Sequence, residues 1–259
     1  MRIAGTGEPT LIFVHGYACA MDDWDLQLDA LSEDFRCVAL NLPGHGGSAL
    51  PGTASIEALA EAVNNVREQV GGGKIVLIGH SMGCQVVTEA YCQSPTDVAG
   101  LVFVDGGKFG GDLESVTTLL TDRIDHGGID AMMAQSFDGM FFDNCDPEVR
   151  RRIVRRALSL DPAFRKGLLL QIARWSIGKN DIAFKNIAVP VLALQSTDLG
   201  PDLKMVPLQP GTTNSWLDLV AELVPNTEIE IIPDVGHFTM IEAAPAVNAA
   251  LARFATKFA

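Results

Sequence analysis

The sequence is short of positive charge: 19 Lys and Arg stand against 32 Asp and Glu, a formal net charge of −13. That balance argues against nucleic acid or an anionic membrane surface as a partner, because phosphate binding needs a basic field. Long apolar runs are missing too, and none approaches the roughly 18–20 residues needed to span a bilayer. The opening residues, Met1 to Gly7, lack the apolar core and small-residue cleavage site of a secretory leader, so a cytoplasmic location is expected. Cysteine is sparse and unpaired in spacing. Cys19, Cys37, Cys84, Cys92 and Cys145 form no C-x-x-C, which points away from a zinc ribbon or dithiol redox site and toward reduced, mostly buried thiols. There is no internal repeat and no low-complexity tract.

What is present is enough apolar material for a large core. Hydrophobic residues make up 47% of the 259 and charged residues 20%, as expected for one large α/β domain carrying an insertion. Short apolar runs at 10–14, 37–40, 75–78, 101–104, 191–194 and 229–232 stop at Gly, Pro, Asn, Asp or His, except 191–194, which runs into Gln195. They read as strands buried on both faces. Helical patterns lie between them at 24–32, 55–70, 82–92, 215–223 and 245–258. Alternation of this kind predicts a mostly parallel sheet with helices on both sides.

The alternation breaks at 107–186, where only helical patterns occur, at 113–124, 130–137, 147–158 and 163–175. The expected organisation is a core of 1–106 and 187–259 with a helical cap of 107–186 over the strand ends. The last two helices start at Asp146-Pro147 and Asp161-Pro162, an aspartate cap followed by proline in the first turn.

One strand runs directly into Gly79-His80-Ser81-Met82-Gly83, and a helical pattern follows. This is G-x-S-x-G in the strand–turn–helix setting that gives the motif meaning. Chance matches to it are common, and that setting makes chance a minor explanation. Ser81 is the candidate nucleophile. A serine hydroxyl needs a base, and His237 follows the last strand, which brings it to the same sheet edge. His15 and His45 sit beside glycines in loops, His80 lies inside the turn, and His126 falls in the cap. No pair of them has helical metal-ligand spacing, so no metal is expected.

Together the segments His15-Gly16-Tyr17, Leu42-Pro43-Gly44-His45-Gly46-Gly47-Ser48, the turn around Ser81, and Gly236-His237-Phe238 resemble the α/β-hydrolase family over nearly the whole chain. The resemblance implies an oxyanion hole formed by the backbone N–H groups of Tyr17 and Met82. Two departures accompany it: the leading strands are expected to be short or missing, and Asn41 stands where an aspartate is common. Family members usually carry the acid after the penultimate strand. Asp198 lies near that place but one residue early, and Asp202 requires a loop shift. Others, such as certain haloalkane dehalogenases, carry it directly after the strand preceding the cap, where Asp105 stands. Asp105 is preferred, with Asp198 as the alternative and a plain turn aspartate as the bland reading.

The function expected from this constellation is hydrolysis of a carboxylic ester or lactone through an acyl-enzyme, without metal or organic cofactor. Dehalogenation is disfavoured because Ser81 occupies the place of a carboxylate. Thioesterase, carbon–carbon hydrolase and perhydrolase chemistry reuse the same groups, and a hydrolase-like binding protein with slow turnover is the reading from another class. The partner is a small-molecule ester or lactone, and a homodimer is allowed. Met133, Phe137 and Phe141, in an apolar stretch of the cap, are candidates for the substrate pocket. Cys84 reads as core. The basic run Arg150, Arg151, Arg152, Arg155, Arg156 reads as a solvated helix face before it reads as a substrate-steering patch.

Overall fold

The computed structural model describes residues 1–200 and 204–259. Nine strands and ten α-helices follow in chain order among these residues. The chain opens with β1 (Arg2–Ala4), β2 (Thr10–Val14), α1 (Asp25–Leu31) and β3 (Arg36–Leu40). Then come α2 (Ile56–Val70), β4 (Ile75–His80), α3 (Met82–Gln93) and β5 (Val98–Val104). Four helices follow without a strand: α4 (Leu113–Asp138), α5 (Pro147–Ser159), α6 (Pro162–Gly178) and α7 (Asn180–Lys185). The last part holds β6 (Val191–Gln195), β7 (Thr197–Leu199), β8 (Met205–Pro207), α8 (Ser215–Leu223), β9 (Thr227–Ile231), α9 (Thr239–Glu242) and α10 (Ala244–Ala255).

Seven strands form one sheet in the order β1-β3-β2-β4-β5-β6-β9. All pairs in it are parallel except β1 with β3. The side-chain period of two divides each central strand between two cores. Ile12, Val14 and Leu77 face a cluster with α2, α3 and α8, while Leu11, Phe13 and Ile78 face one with α1 and α10. β2 is buried at every residue, which is why it carries no polar alternation.

Several elements differ from the sequence reading. β9 is an outer strand with Ile229 40% exposed, so its run is not buried on both faces. It pairs on one side only, with β6. The leading strand is short, three residues of β1, and the hairpin of β7 with β8 and the helix α7 were not anticipated. Elements of three to six residues are too short to show a period. α4 spans both helical patterns expected at 113–124 and 130–137, with Gly128 at φ 79° breaking it between them. α5 and α6 start as expected: Asp146 accepts from the Glu148 N–H at 2.8 Å and Asp161 from the Phe164 N–H at 2.8 Å.

The basic run also reads differently in three dimensions. Arg156 is not solvated; it pairs with Asp22 at 3.1 Å and with the wholly buried Asp23. It thereby ties α5 to the turn before α1. Arg150 pairs with Asp138 at 2.6 Å, and Arg151, Arg152 and Arg155 are exposed. Asn41, the departure from the aspartate common in the family, uses both ends of its amide. Its Oδ1 accepts from the Met21 N–H at 2.8 Å and its Nδ2 donates to the Gly46 carbonyl at 3.0 Å, and an ionised aspartate has no donor for the second bond. Among the described residues no helix is long and apolar enough to cross a membrane.

Candidate active site

β4, β5, β6 and β9 are mutually parallel, so the residues that follow them collect at one edge of the sheet. Ser81 follows β4 and precedes α3, with φ 53° and ψ −119°. That left-handed conformation is strained for a residue with a Cβ. It is held by close approach on both sides. A Cβ on Gly79 would lie 2.3 Å from the Gly83 carbonyl oxygen, and one on Gly83 would lie 2.4 Å from the Val14 carbonyl oxygen. The two glycines are therefore required by packing. The Ser81 N–H donates to the Val104 carbonyl at 3.0 Å, which fixes the turn to the end of β5. Met82 is the first residue of α3, so its N–H has no acceptor inside the helix and points with the positive end of the helix dipole.

Asp105 directly follows β5, at φ 46° and without solvent exposure. Its Oδ2 accepts from His237 Nδ1 at 2.7 Å and from Thr197 Oγ1 at 2.5 Å. Its Oδ1 accepts from the Ser196 N–H at 2.7 Å, the Thr197 N–H at 3.0 Å and Ser196 Oγ at 3.1 Å. A buried carboxylate is costly unless donors surround it, and here the end of β6 supplies them. Ser196 and Thr197 escaped the sequence reading. No sequence signal singled them out: they directly follow β6, ahead of the place where the acid usually falls, and they offer hydroxyl and amide donors instead of an acceptor. Asp198 lies in β7, and its Oδ1 accepts from the adjacent Leu199 N–H at 2.9 Å. Asp202 lies outside the described residues.

His237 is 5% exposed. Its N–H donates to the Met140 carbonyl at 2.8 Å, and its own carbonyl accepts from His80 Nε2 at 2.9 Å. The two rings lie 4.8 Å apart. His80, the unassigned residue of the serine turn, is thus a brace for the His237 loop, another role the sequence did not reveal. With Nδ1 bonded to Asp105, the His237 ring carries its proton there and leaves Nε2 as the lone-pair nitrogen.

A cavity of about 560 Å3 adjoins these groups. Ser81, His237, Tyr17 and Met82 all line it, as do Met133 and Phe137 from α4. Phe141 does not line it, contrary to the pocket expected for it. Its ring stacks on Phe238 at 4.8 Å and 6°, behind the cavity wall. Asp198 sits on the wall without reaching His237. Among the described residues no group of three His, Cys, Asp or Glu is placed to hold a metal ion.

Three further histidines bear on stability. His15 donates from Nδ1 to the Gly16 carbonyl at 2.8 Å and accepts at Nε2 from the Leu42 N–H at 3.0 Å, which requires the neutral ring. Burial lowers the pKa of His15 well below its ordinary value, that of His45 to about 4 and that of His80 to about 3. The unfolded chain binds these protons near pH 6.5 while the folded chain refuses them, so stability rises with pH across this window. Their contribution is complete above about pH 6.5 and is lost as pH falls toward 4 and 3. Asp23 and Glu242, raised by burial, act in the opposite sense at the acid end. The urea midpoint is expected to fall between pH 7 and pH 5; a flat midpoint over that range contradicts this account.

The sequence profile of the alpha/beta hydrolase family matches residues 11–250. Among curated proteins, the dihydrolipoyllysine-residue acetyltransferase component of the acetoin cleaving system of Pseudomonas putida is 26% identical over 265 aligned residues, which cover 99% of this chain and 66% of that protein. The 2-succinyl-6-hydroxy-2,4-cyclohexadiene-1-carboxylate synthase of Escherichia coli is 33% identical over 107 residues, 40% of this chain and 40% of that protein. The chain spans less than two thirds of the length of these relatives. Among solved structures, a thermophilic esterase from Thermogutta terrifontis superposes with a TM-score of 0.81 at 23% identity, over 99% of this chain and 92% of the other. The enol-lactonase of Burkholderia xenovorans gives 0.80 at 18%, over 98% and 95%. At such identities the likeness speaks for the fold, and the match of the profile to nearly the whole chain speaks for descent: this chain belongs to the alpha/beta hydrolase family.

Proposed function

We propose that the chain hydrolyses carboxylic esters or lactones through an acyl-enzyme on Ser81, with His237 as general base and Asp105 as the acid that orients it. The observation that carries this reading is the 2.7 Å contact between His237 Nδ1 and the buried Asp105, in the wall of a cavity that Ser81 also lines. His237 Nε2 takes the Ser81 proton as Oγ attacks the carbonyl. The oxyanion is met by the N–H groups of Tyr17 and Met82, which strengthen their bonds as charge develops. Collapse breaks the carbonyl–oxygen bond, and the protonated His237 returns its proton to the leaving alcohol. A water then repeats the attack, with His237 again as base, and frees the acid. In a lactone the alcohol and the acid belong to one product.

The test is a panel of esters graded by acyl length and leaving group. Steady turnover with burst release of an activated alcohol is expected. Ligand-induced stabilisation with negligible hydrolysis would instead mark a binding protein. Met133 and Phe137 stand on the cavity wall, so Met133→Ala and Phe137→Ala are expected to shift the preferred acyl length; both side chains are buried in the core, so the melting temperature is expected to fall as well. An unchanged ranking in both variants removes them from the specificity pocket.

A further inference from the structure

Most cations of this acidic chain have acceptors. Arg2, Arg150, Arg151, Arg156, Arg165, Lys166, Lys179, Arg253 and Lys257 pair with carboxylates. Arg36, Arg67 and Lys74 donate to backbone carbonyls. Lys108 and Arg123 break this pattern. Both are half-buried and line the cavity beside Ser81 and His237, yet neither forms an ion pair or hydrogen bond among the described residues. The other cations without such a bond, Arg152, Arg155, Arg174 and Lys185, are exposed, where water satisfies them.

The position of the two is set by the fold. Lys108 lies three residues after Asp105, in the link between β5 and α4. Arg123 is on α4, one turn after Leu119, and both of those residues line the same cavity. Half-buried cations lose part of their hydration, and in a chain of net charge −13 carboxylates are abundant, yet among the described residues neither is paired with one. Asp198 is the acidic group on the wall outside the Asp105–His237 pair, and its Oδ1 is engaged by the Leu199 N–H. The remaining wall is dominated by apolar side chains such as Met132, Met133, Phe137 and Leu169.

We infer that the substrate is an ester or lactone bearing a carboxylate away from the scissile carbonyl, and that Lys108 and Arg123 bind this anion. The inference rests on the hydrolase reading above for the bond that is cut, and on the two unmatched cations for the group that is held. An apolar middle and a cationic region in one cavity suit an acyl chain with a terminal carboxylate. The cations select the substrate and take no part in bond breaking.

The experiment compares two activated esters of equal chain length, the 4-nitrophenyl monoester of adipic acid and 4-nitrophenyl hexanoate. The ratio of kcat/KM for the anionic ester to that for the neutral one is measured in the wild type and in Lys108→Met/Arg123→Met, at low and high salt. Charge-assisted hydrogen bonds are worth about ten- to a hundredfold, so the ratio is expected to fall by that order in the double variant and to fall with salt in the wild type. A ratio unchanged by the double substitution overturns the inference, whatever happens to the absolute rates. If the wild type cleaves neither ester, the hydrolase reading fails, and calorimetric binding of adipate decides the anion site separately. Adipate binding lost in the double variant upholds the site, and no binding to the wild type overturns it.

Discussion

Ser81→Ala is expected to lose burst release from an activated ester and to lower turnover by about a millionfold, because members of a catalytic triad act as a unit. The fold should survive the change. Alanine meets the same cost at φ 53° as serine does, and the close approach of Gly79 and Gly83 that imposes this conformation is untouched. Intact-mass measurement after exposure to the ester should show an acyl adduct on the wild type and none on the variant. Cys84→Ala is the control for a second nucleophile. Cys84 is buried, its thiol lies against the Gly79 carbonyl at 3.2 Å, and burial pushes its pKa far above the range where thiolate forms. An adduct that persists in the Ser81 variant and disappears in the Cys84 variant would reverse the assignment.

Asp105→Asn is the second large effect, expected at about four orders of magnitude in turnover by analogy with the serine-protease case. The mechanism is a change of tautomer. The asparagine oxygen can keep the place of Oδ1, where the Ser196 and Thr197 N–H groups and Ser196 Oγ donate. Its NH2 then takes the place of Oδ2 and donates toward His237 Nδ1. The ring must move its proton to Nε2 and can no longer accept one from Ser81. Because the collar around Oδ1 stays satisfied, the melting temperature is expected to change little, and substrate affinity likewise. Asp198→Asn should be mild, since an amide oxygen serves the Leu199 N–H as well as a carboxylate does. Severe loss in the Asp198 variant with near wild-type turnover in the Asp105 variant would make Asp198 the acid.

These outcomes separate what was legible in the chain from what was not. The parallel sheet could be read because a strand covered on both faces must be apolar at every residue, as in β2, and because the period changes in the helices that follow. The serine turn was legible for a related reason. Glycine at 79 and 83 is a local consequence of backbone crowding, so it is written at a set spacing around Ser81. The helix starts at Asp146-Pro147 and Asp161-Pro162 were equally local. By itself, then, the sequence determined the layered α/β core, the place of Ser81 after β4 and the place of His237 after β9.

The tertiary structure decided everything that depends on partners far along the chain. Asp105 directly follows β5 and Asp198 lies three residues past the end of β6, and only the pairing of β5 with β6 and of β6 with β9 brings the Ser196 and Thr197 donors and the His237 ring onto Asp105. Phe141 belongs to the same apolar stretch as Met133 and Phe137, but the stacking of its ring on Phe238 takes it off the cavity wall. Arg156 shares a helix with exposed arginines and is withdrawn from solvent by Asp22 and Asp23, more than 130 residues earlier. Lys108 and Arg123 carry no sequence mark at all. What distinguishes them is that, on a shared cavity wall, neither forms an ion pair or hydrogen bond among the described residues. Local rules write themselves into residue type because the backbone conformation of a few neighbours decides the cost. Long-range pairing leaves no such trace, because the identity of one partner says nothing about where the chain will place the other.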